Sequence, residues 1–159
     1  MLNKFQLKNQ NALITGAGGL LGYEHSYALL QSGANIILTD INLKTLNYNF
    51  KRLKKLFPEN KIFKFKVDIT KENSVKKCFT FLQKKKIFVN ILINNAAYNP
   101  PNNKLGFSIF ENYSLKSWQR EIDISLTGAF ICTKIFGSEM AKKKKGVILN
   151  ISSDLSVIA

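Results

Sequence analysis

Five short apolar runs, separated by segments of helical periodicity, restrict this chain to one kind of sheet. The runs are Asn11–Thr15, Asn35–Thr39, Ile62–Val67, Phe88–Ile93 and Val147–Ile151. Between them, Leu43, Leu46, Phe50, Leu53 and Phe57 recur at helical spacing, as do Val75, Cys78, Phe79 and Leu82. A longer helix is expected from Leu115 to Ala141, capped by Ser114, with Trp118, Ile122, Ala129 and Thr133 along one face. Strands that alternate with helices pair in parallel, through right-handed crossovers that cover both faces of the sheet. Four of the runs are nearly continuous in apolar residues, as burial on both faces requires. Ile62-Phe63-Lys64-Phe65-Lys66-Val67 alternates instead, and its lysines suit an exposed edge. The expected fold is therefore α/β, a doubly wound parallel sheet in the order 3-2-1-4-5. With 159 residues, 45% of them hydrophobic, the chain can bury one sizeable core and is read as one domain, 1–159.

The loop after the first run is the most informative one. Thr15-Gly16-Ala17-Gly18-Gly19-Leu20-Leu21-Gly22 leads from a strand into a helix. Glycines let the chain turn tightly and let its backbone approach a ligand without a Cβ in the way. The N–H groups heading the next helix then face that ligand, where the helix dipole favours an anion such as a pyrophosphate. Gly16, Gly18, Gly19, Leu21 and Gly22 are the candidate binding residues there. Asp40 ends the second run, eighteen residues after Gly22. A carboxylate at that place can accept both hydroxyls of an adenosine ribose and repel a 2′-phosphate, which points to NAD rather than NADP. The blander role for Asp40 is to begin a turn into the helix capped by Asn42. A long loop, Tyr98 to Tyr113, follows the fourth strand at the end of the sheet where ligands bind.

Composition excludes more than it assigns. The formal charge is +14, but Arg52 and Arg120 are the only arginines, and the lysine clusters at 51–55, 84–86 and 142–145 each close an expected helix. Cations there are favoured by the helix dipole, at the sheet edge opposite the ligand site. Neither a nucleic acid nor a membrane is expected as a partner, and any bound DNA should dissociate in modest salt. The N-terminal segment is polar and broken by Lys4 and Lys8, and no apolar run reaches the length of a membrane span. Cys78 and Cys132 have no metal-type spacing and are expected to be reduced core residues of a cytoplasmic protein. No metal site is expected, and His25, the single histidine, is assigned a surface or packing role.

Four segments, in order, resemble the short-chain dehydrogenase/reductase family. Thr15–Gly22 is similar to that family's glycine motif, and Asp68-Ile69 to the acidic-apolar pair bordering the adenine. Asn94-Asn95-Ala96-Ala97 resembles the Asn-Asn-Ala-Gly motif, placing Asn95, Ala96 and Ala97 along the cofactor cleft. Gly146 to Ser153 resembles the fifth strand, which delivers the catalytic serine, here Ser153. The resemblance implies a Rossmann-like fold, a nicotinamide cofactor, a small-molecule substrate and, for the full-length form, a homo-oligomer. It also implies interconversion of a secondary alcohol and a ketone. Ser153 would then orient the substrate oxygen and stabilise its developing charge.

The pattern departs from the family at three places. Leu20 stands where many members have a glycine, and Ser125 where they usually carry an asparagine. The family's Tyr-x-x-x-Lys, its acid/base pair, lies beyond the serine; none of Tyr23, Tyr27, Tyr48, Tyr98 or Tyr113 has a lysine four residues on. The sheet is thus expected to be C-terminally incomplete, with an open fifth strand, and the chain alone to be inactive and prone to aggregate. The alternative function is a truncated, non-catalytic NAD-binding module. The runs 95–101 and 152–159 further resemble a branch found with bacterial surface-polysaccharide and flagellin-modification enzymes, which implies a sugar-derived substrate.

Overall fold

The structure is a computed structural model that describes residues 5–98 and 110–153. Its strands are β1 (Asn11–Thr15), β2 (Asn35–Asp40), β3 (Ile62–Lys66), β4 (Ile91–Asn94) and β5 (Val147–Asn150). Three helices alternate with the first four strands: α1 (Leu20–Gln31), α2 (Leu43–Leu56) and α3 (Glu72–Lys84). A fourth, α4, runs over 115–142. All strand pairs are parallel, in the order β3-β2-β1-β4-β5. The doubly wound, Rossmann-like sheet is therefore the one the alternation of apolar runs demands. Lys64 and Lys66 lie exposed on the β3 edge.

The alternation of side chains along each strand builds two core layers. Leu13, Ile37 and Leu92 face α3 and α4 and pack with Val75, Leu82, Cys132 and Phe136. Ala12, Ile14, Ile36 and Leu38 face α1 and α2 and pack with Leu30, Leu46 and Leu53. Cys78 and Cys132 are buried and free, and burial pushes each thiol up to about 12. Asn42 caps α2, accepting from the N–H groups of Lys44 and Thr45, and Ser114 caps α4, accepting from Ser117. Lys54, Lys55, Lys84 and Lys142 fall in the last turns of their helices. Among the described residues, no helix is long and apolar enough to cross a membrane.

Two expectations need correction. The fourth strand begins at Ile91 rather than Phe88: backbone bonds reach back to Asn90, whose N–H donates to the Asn11 carbonyl at 2.9 Å, and side-chain amides add to them there. Asn11 Nδ2 donates to the Phe88 carbonyl at 2.7 Å, and Asn90 Oδ1 accepts from the Asn11 N–H at 3.0 Å. The second correction concerns which face of α4 is buried. Two π-helical stretches, Asp123–Gly128 and Thr133–Gly137, interrupt its α-helical geometry. Each wider turn rotates the side chains that follow, so a stripe counted at 3.6 residues per turn loses register. Beyond the first stretch the core-facing residues are Ile131, Cys132, Phe136 and Met140, with Thr133 of the expected stripe still bonded to Asn94 of the sheet, while Trp118, ahead of both stretches, is 53% exposed.

Candidate active site

The cleft lies at the C-terminal ends of the strands, where β1 and β4 diverge in the order of the sheet and the crossovers change sides. Its volume is about 1320 Å³, and it is lined by the glycine turn, the ends of β2 and β4, the loop after β3, and one side of α4.

The glycine turn closes without room for a side chain at Gly16, Gly18 or Gly22. Gly16 has φ +67°, and a Cβ on it would lie 2.8 Å from the Ala96 Cα. A Cβ on Gly22 would lie 2.3 Å from the Gly16 carbonyl oxygen, and one on Gly18 2.5 Å from the Thr45 hydroxyl. The turn's own N–H groups are partly used inward: Ala17 donates to the Thr39 carbonyl, Gly18 to Asp40 Oδ2 at 2.8 Å, and Gly19 to the Gly16 carbonyl. The N–H groups of Leu20 and Leu21 head α1, beyond the reach of any intrahelical carbonyl, and both residues line the cleft. Leu20, at the position of the family's glycine, is 79% exposed.

Asp40 and Asp68 each line the cleft with a fixed carboxylate. Asp40 Oδ1 accepts from the Asn42 N–H at 2.7 Å while Oδ2 holds Gly18, so the residue joins the end of β2 both to its own turn and to the glycine turn. Asp68 Oδ1 accepts from the Thr70 hydroxyl at 2.6 Å and N–H at 3.1 Å, and Lys71 pairs with Oδ2 at 3.4 Å. Partial burial raises the Asp68 pKa, but the Thr70 bonds and the Lys71 charge together outweigh it and hold the carboxyl below its ordinary value. Ile69, next to it, is buried against Gly128 of α4.

The floor of the cleft is a cross-strand lock. Thr15 Oγ1 accepts from the N–H groups of Asn95 and Ala96, each at 3.0 Å, and donates to the Ile93 carbonyl. Asn95 Nδ2 returns to the carbonyls of Thr15 at 2.9 Å and Gly16 at 3.3 Å. Asn94 turns the other way, its amide donating to Thr133 Oγ1 at 3.1 Å and Asn150 Oδ1 at 2.8 Å, and so ties β4 to α4 and β5. Ser153 follows β5 and is exposed.

The structure thus brings Gly16, Gly19, Leu21, Gly22, Asp40, Asp68, Ile69, Asn95, Ala96 and Ala97 around one cleft. Gly18 supports it from behind through Asp40, and Ser153 is not among the residues lining it. His25 lies on α1, also outside the lining. Sequence reading missed Thr15 as the hub of the floor, Arg120 stacked at 4.2 Å over the Tyr98 ring, and Asn49, which bonds the glycine turn from α2. Asn49 did carry a signal: it is the polar member of the stripe Leu46, Asn49, Leu53. Much of the long loop, residues 99–109, lies outside the described residues, as do 154–159. Among the described residues, no cluster of three or more His, Cys, Asp or Glu is placed to hold a metal.

The fold and the glycine-lined cleft together define a nucleotide-binding protein of the Rossmann class. Residues 10–159 match the short chain dehydrogenase family, and the chain belongs to it. It is similar to a 3alpha-hydroxysteroid dehydrogenase of Mediterraneibacter gnavus, with 27% identity over 95% of this chain and 58% of that protein. It is also similar to a 2-dehydro-3-deoxy-D-gluconate 5-dehydrogenase of Bacillus subtilis, with 31% identity over 96% of this chain and 56% of that one. An NAD+-bound xylitol dehydrogenase superposes with a TM-score of 0.83 at 25% identity, over 98% of this chain and 56% of the other. A gluconate 5-dehydrogenase of Burkholderia cenocepacia, in complex with NADP and tartrate, superposes at 0.84 with 22% identity, a likeness of fold over 98% and 58% of the two chains. The chain spans little more than half the length of these relatives.

Proposed function

We propose that this chain carries the dinucleotide-binding portion of an NAD-dependent oxidoreductase that interconverts a secondary alcohol and a ketone. The observation that carries this reading is the convergence of the glycine turn, Asp40 and the Asp68-Ile69 pair on one cleft. The cleft suits a dinucleotide: Gly16, Gly18 and Gly22 let the turn close tightly where a Cβ would meet Ala96, Thr45 or the turn's own backbone, and the N–H groups of Leu20 and Leu21 head α1 without an intrahelical acceptor. Gly16, Gly19, Leu21 and Gly22 would hold the diphosphate, Asp40 the adenosine ribose, Asp68 and Ile69 the adenine, and Asn95 to Ala97 the nicotinamide side. Both Asp40 oxygens keep a lone pair beyond their backbone bonds, and the carboxylate charge disfavours a 2′-phosphate, which supports NAD over NADP. A nicotinamide dinucleotide supplies hydride chemistry when bound. Ser153 Oγ is the group expected to hold the substrate oxygen by a hydrogen bond. A small, polar, sugar-derived substrate is supported by the sugar-acid and polyol dehydrogenases among the relatives and by the resemblance of the runs 95–101 and 152–159. A cytoplasmic location and, for the full-length form, a homo-oligomer complete the reading.

The alternative reading is NAD binding without turnover. One set of measurements separates the two. NADH fluorescence titration of the 159-residue chain should show binding, weakened in Asp40→Ala. Oxidation of a panel of polyols and sugar acids, abolished in Ser153→Ala, excludes the module; binding with no turnover is what the dinucleotide-binding portion gives under either reading; no binding overturns both.

A further inference from the structure

The glycine turn is held from behind by an amide that sequence spacing places in the core. Asn49 sits in the buried stripe of α2 between Leu46 and Leu53 and is itself only 6% exposed. A buried amide is costly unless bonded, and this one donates from Nδ2 to the Ala17 carbonyl at 2.9 Å and the Gly19 carbonyl at 3.4 Å. In a trans peptide the N–H points opposite to the carbonyl. Holding the Ala17 carbonyl therefore directs the Gly18 N–H the other way, where Asp40 Oδ2 receives it at 2.8 Å. Holding the Gly19 carbonyl, which also accepts from Tyr23, directs the Leu20 N–H away from α2 at the head of α1.

We propose that Asn49 is a positioning residue for the diphosphate of the cofactor, acting through the turn without touching the ligand. Peptide units in a glycine-rich turn flip at little steric cost. A flipped 19–20 unit would present a carbonyl oxygen where an N–H is needed, and an anion would be repelled. The Asn49 amide suppresses that alternative at two peptides together, and links one of them to the residue that faces the ribose. The inference rests on the dinucleotide reading of the cleft and adds to it a residue outside every motif of the sequence.

The predicted signature is a split between ligands. The 159-residue chain and Asn49→Leu, close in shape but without a donor, would be titrated with NADH and ADP-ribose by fluorescence and calorimetry. Adenosine, which lacks phosphates, would be followed by amide chemical shifts. Loss of the bonds should weaken NADH and ADP-ribose about tenfold while adenosine changes less than about twofold. Equal weakening of all three ligands, or of none, would assign Asn49 to packing alone and overturn the inference. Where Asn49→Leu gives no cooperative melt, Asn49→Ser, with a shorter donor, carries the same comparison. A wild-type chain that binds none of the three overturns the dinucleotide reading and this inference together. Binding by wild type with an unchanged variant overturns only the inference.

Discussion

Gly19 and Gly22 bracket the first turn of α1, yet a single methyl group should affect them very differently. At Gly19 an added Cβ would meet the Gly16 carbonyl oxygen at 3.3 Å, a contact that a small shift relieves. At Gly22 the same group would sit 2.3 Å from that oxygen and 2.7 Å from the Ala17 Cα, both backbone atoms without freedom to retreat. Gly22→Ala is expected to cost about 1–3 kcal/mol, the range for overpacked sites, and to abolish NADH binding. Gly19→Ala should remain within about 0.5 kcal/mol of wild type, a surface-like effect, as read from urea midpoints. Asp68 gives a prediction of a different kind. Its carboxyl is held below the ordinary 3.8 because the Thr70 and Lys71 interactions exceed the opposing effect of burial. The folded chain therefore binds fewer protons there than the unfolded chain. The stability this contributes is complete above 3.8 and is lost as pH falls through the lower native value. In Asp68→Asn, the loss of urea stability between about pH 6 and about pH 3 should be smaller than in wild type.

At the scale of elements, the amide of Asn94 joins three of them, and its partners test how firmly α4 is set against the sheet. Thr133→Val removes one acceptor of a buried amide while nearly preserving shape. It should destabilise the fold by about 0.5–1.5 kcal/mol, measured by chemical denaturation. Strand order, the exposed β3 edge and the caps at Asn42 and Ser114 were all legible in the sequence, because apolar alternation and capping chemistry are local. The start of β4 was not legible, since it depends on Asn11, seventy-nine residues away from Asn90. Nor was the buried face of α4, since the extra residue in each π turn leaves no compositional mark around Ser125 or Ile135. Within the site, glycines and carboxylates announced themselves by type and spacing. Asn49 gave only its place in an apolar stripe, where an asparagine reads as a blemish until the carbonyls it meets are known.

Across the whole molecule, charge and apolar surface are unevenly placed. The lysines of 84–86 and 142–145 gather at helix ends opposite the cleft, while Asp40 and Asp68 face the cleft itself. β5 is the other edge of the sheet, and Val147 and Leu149 on it are 56% and 50% exposed among the described residues. An open apolar edge recruits further strands. The 159-residue chain should therefore self-associate in light scattering, and Leu149→Lys should shift it toward monomer. The lock between Thr15 and Asn95 has a consequence in time as well as in space. Its partners are eighty residues apart, and this lock, unlike the bonds from Asn49 and Asp40, forms only when both are present. Contacts so distant along the chain form slowly. On the ribosome, the glycine turn is made some eighty residues before its partner, and it gains this lock only after Asn95 has been added.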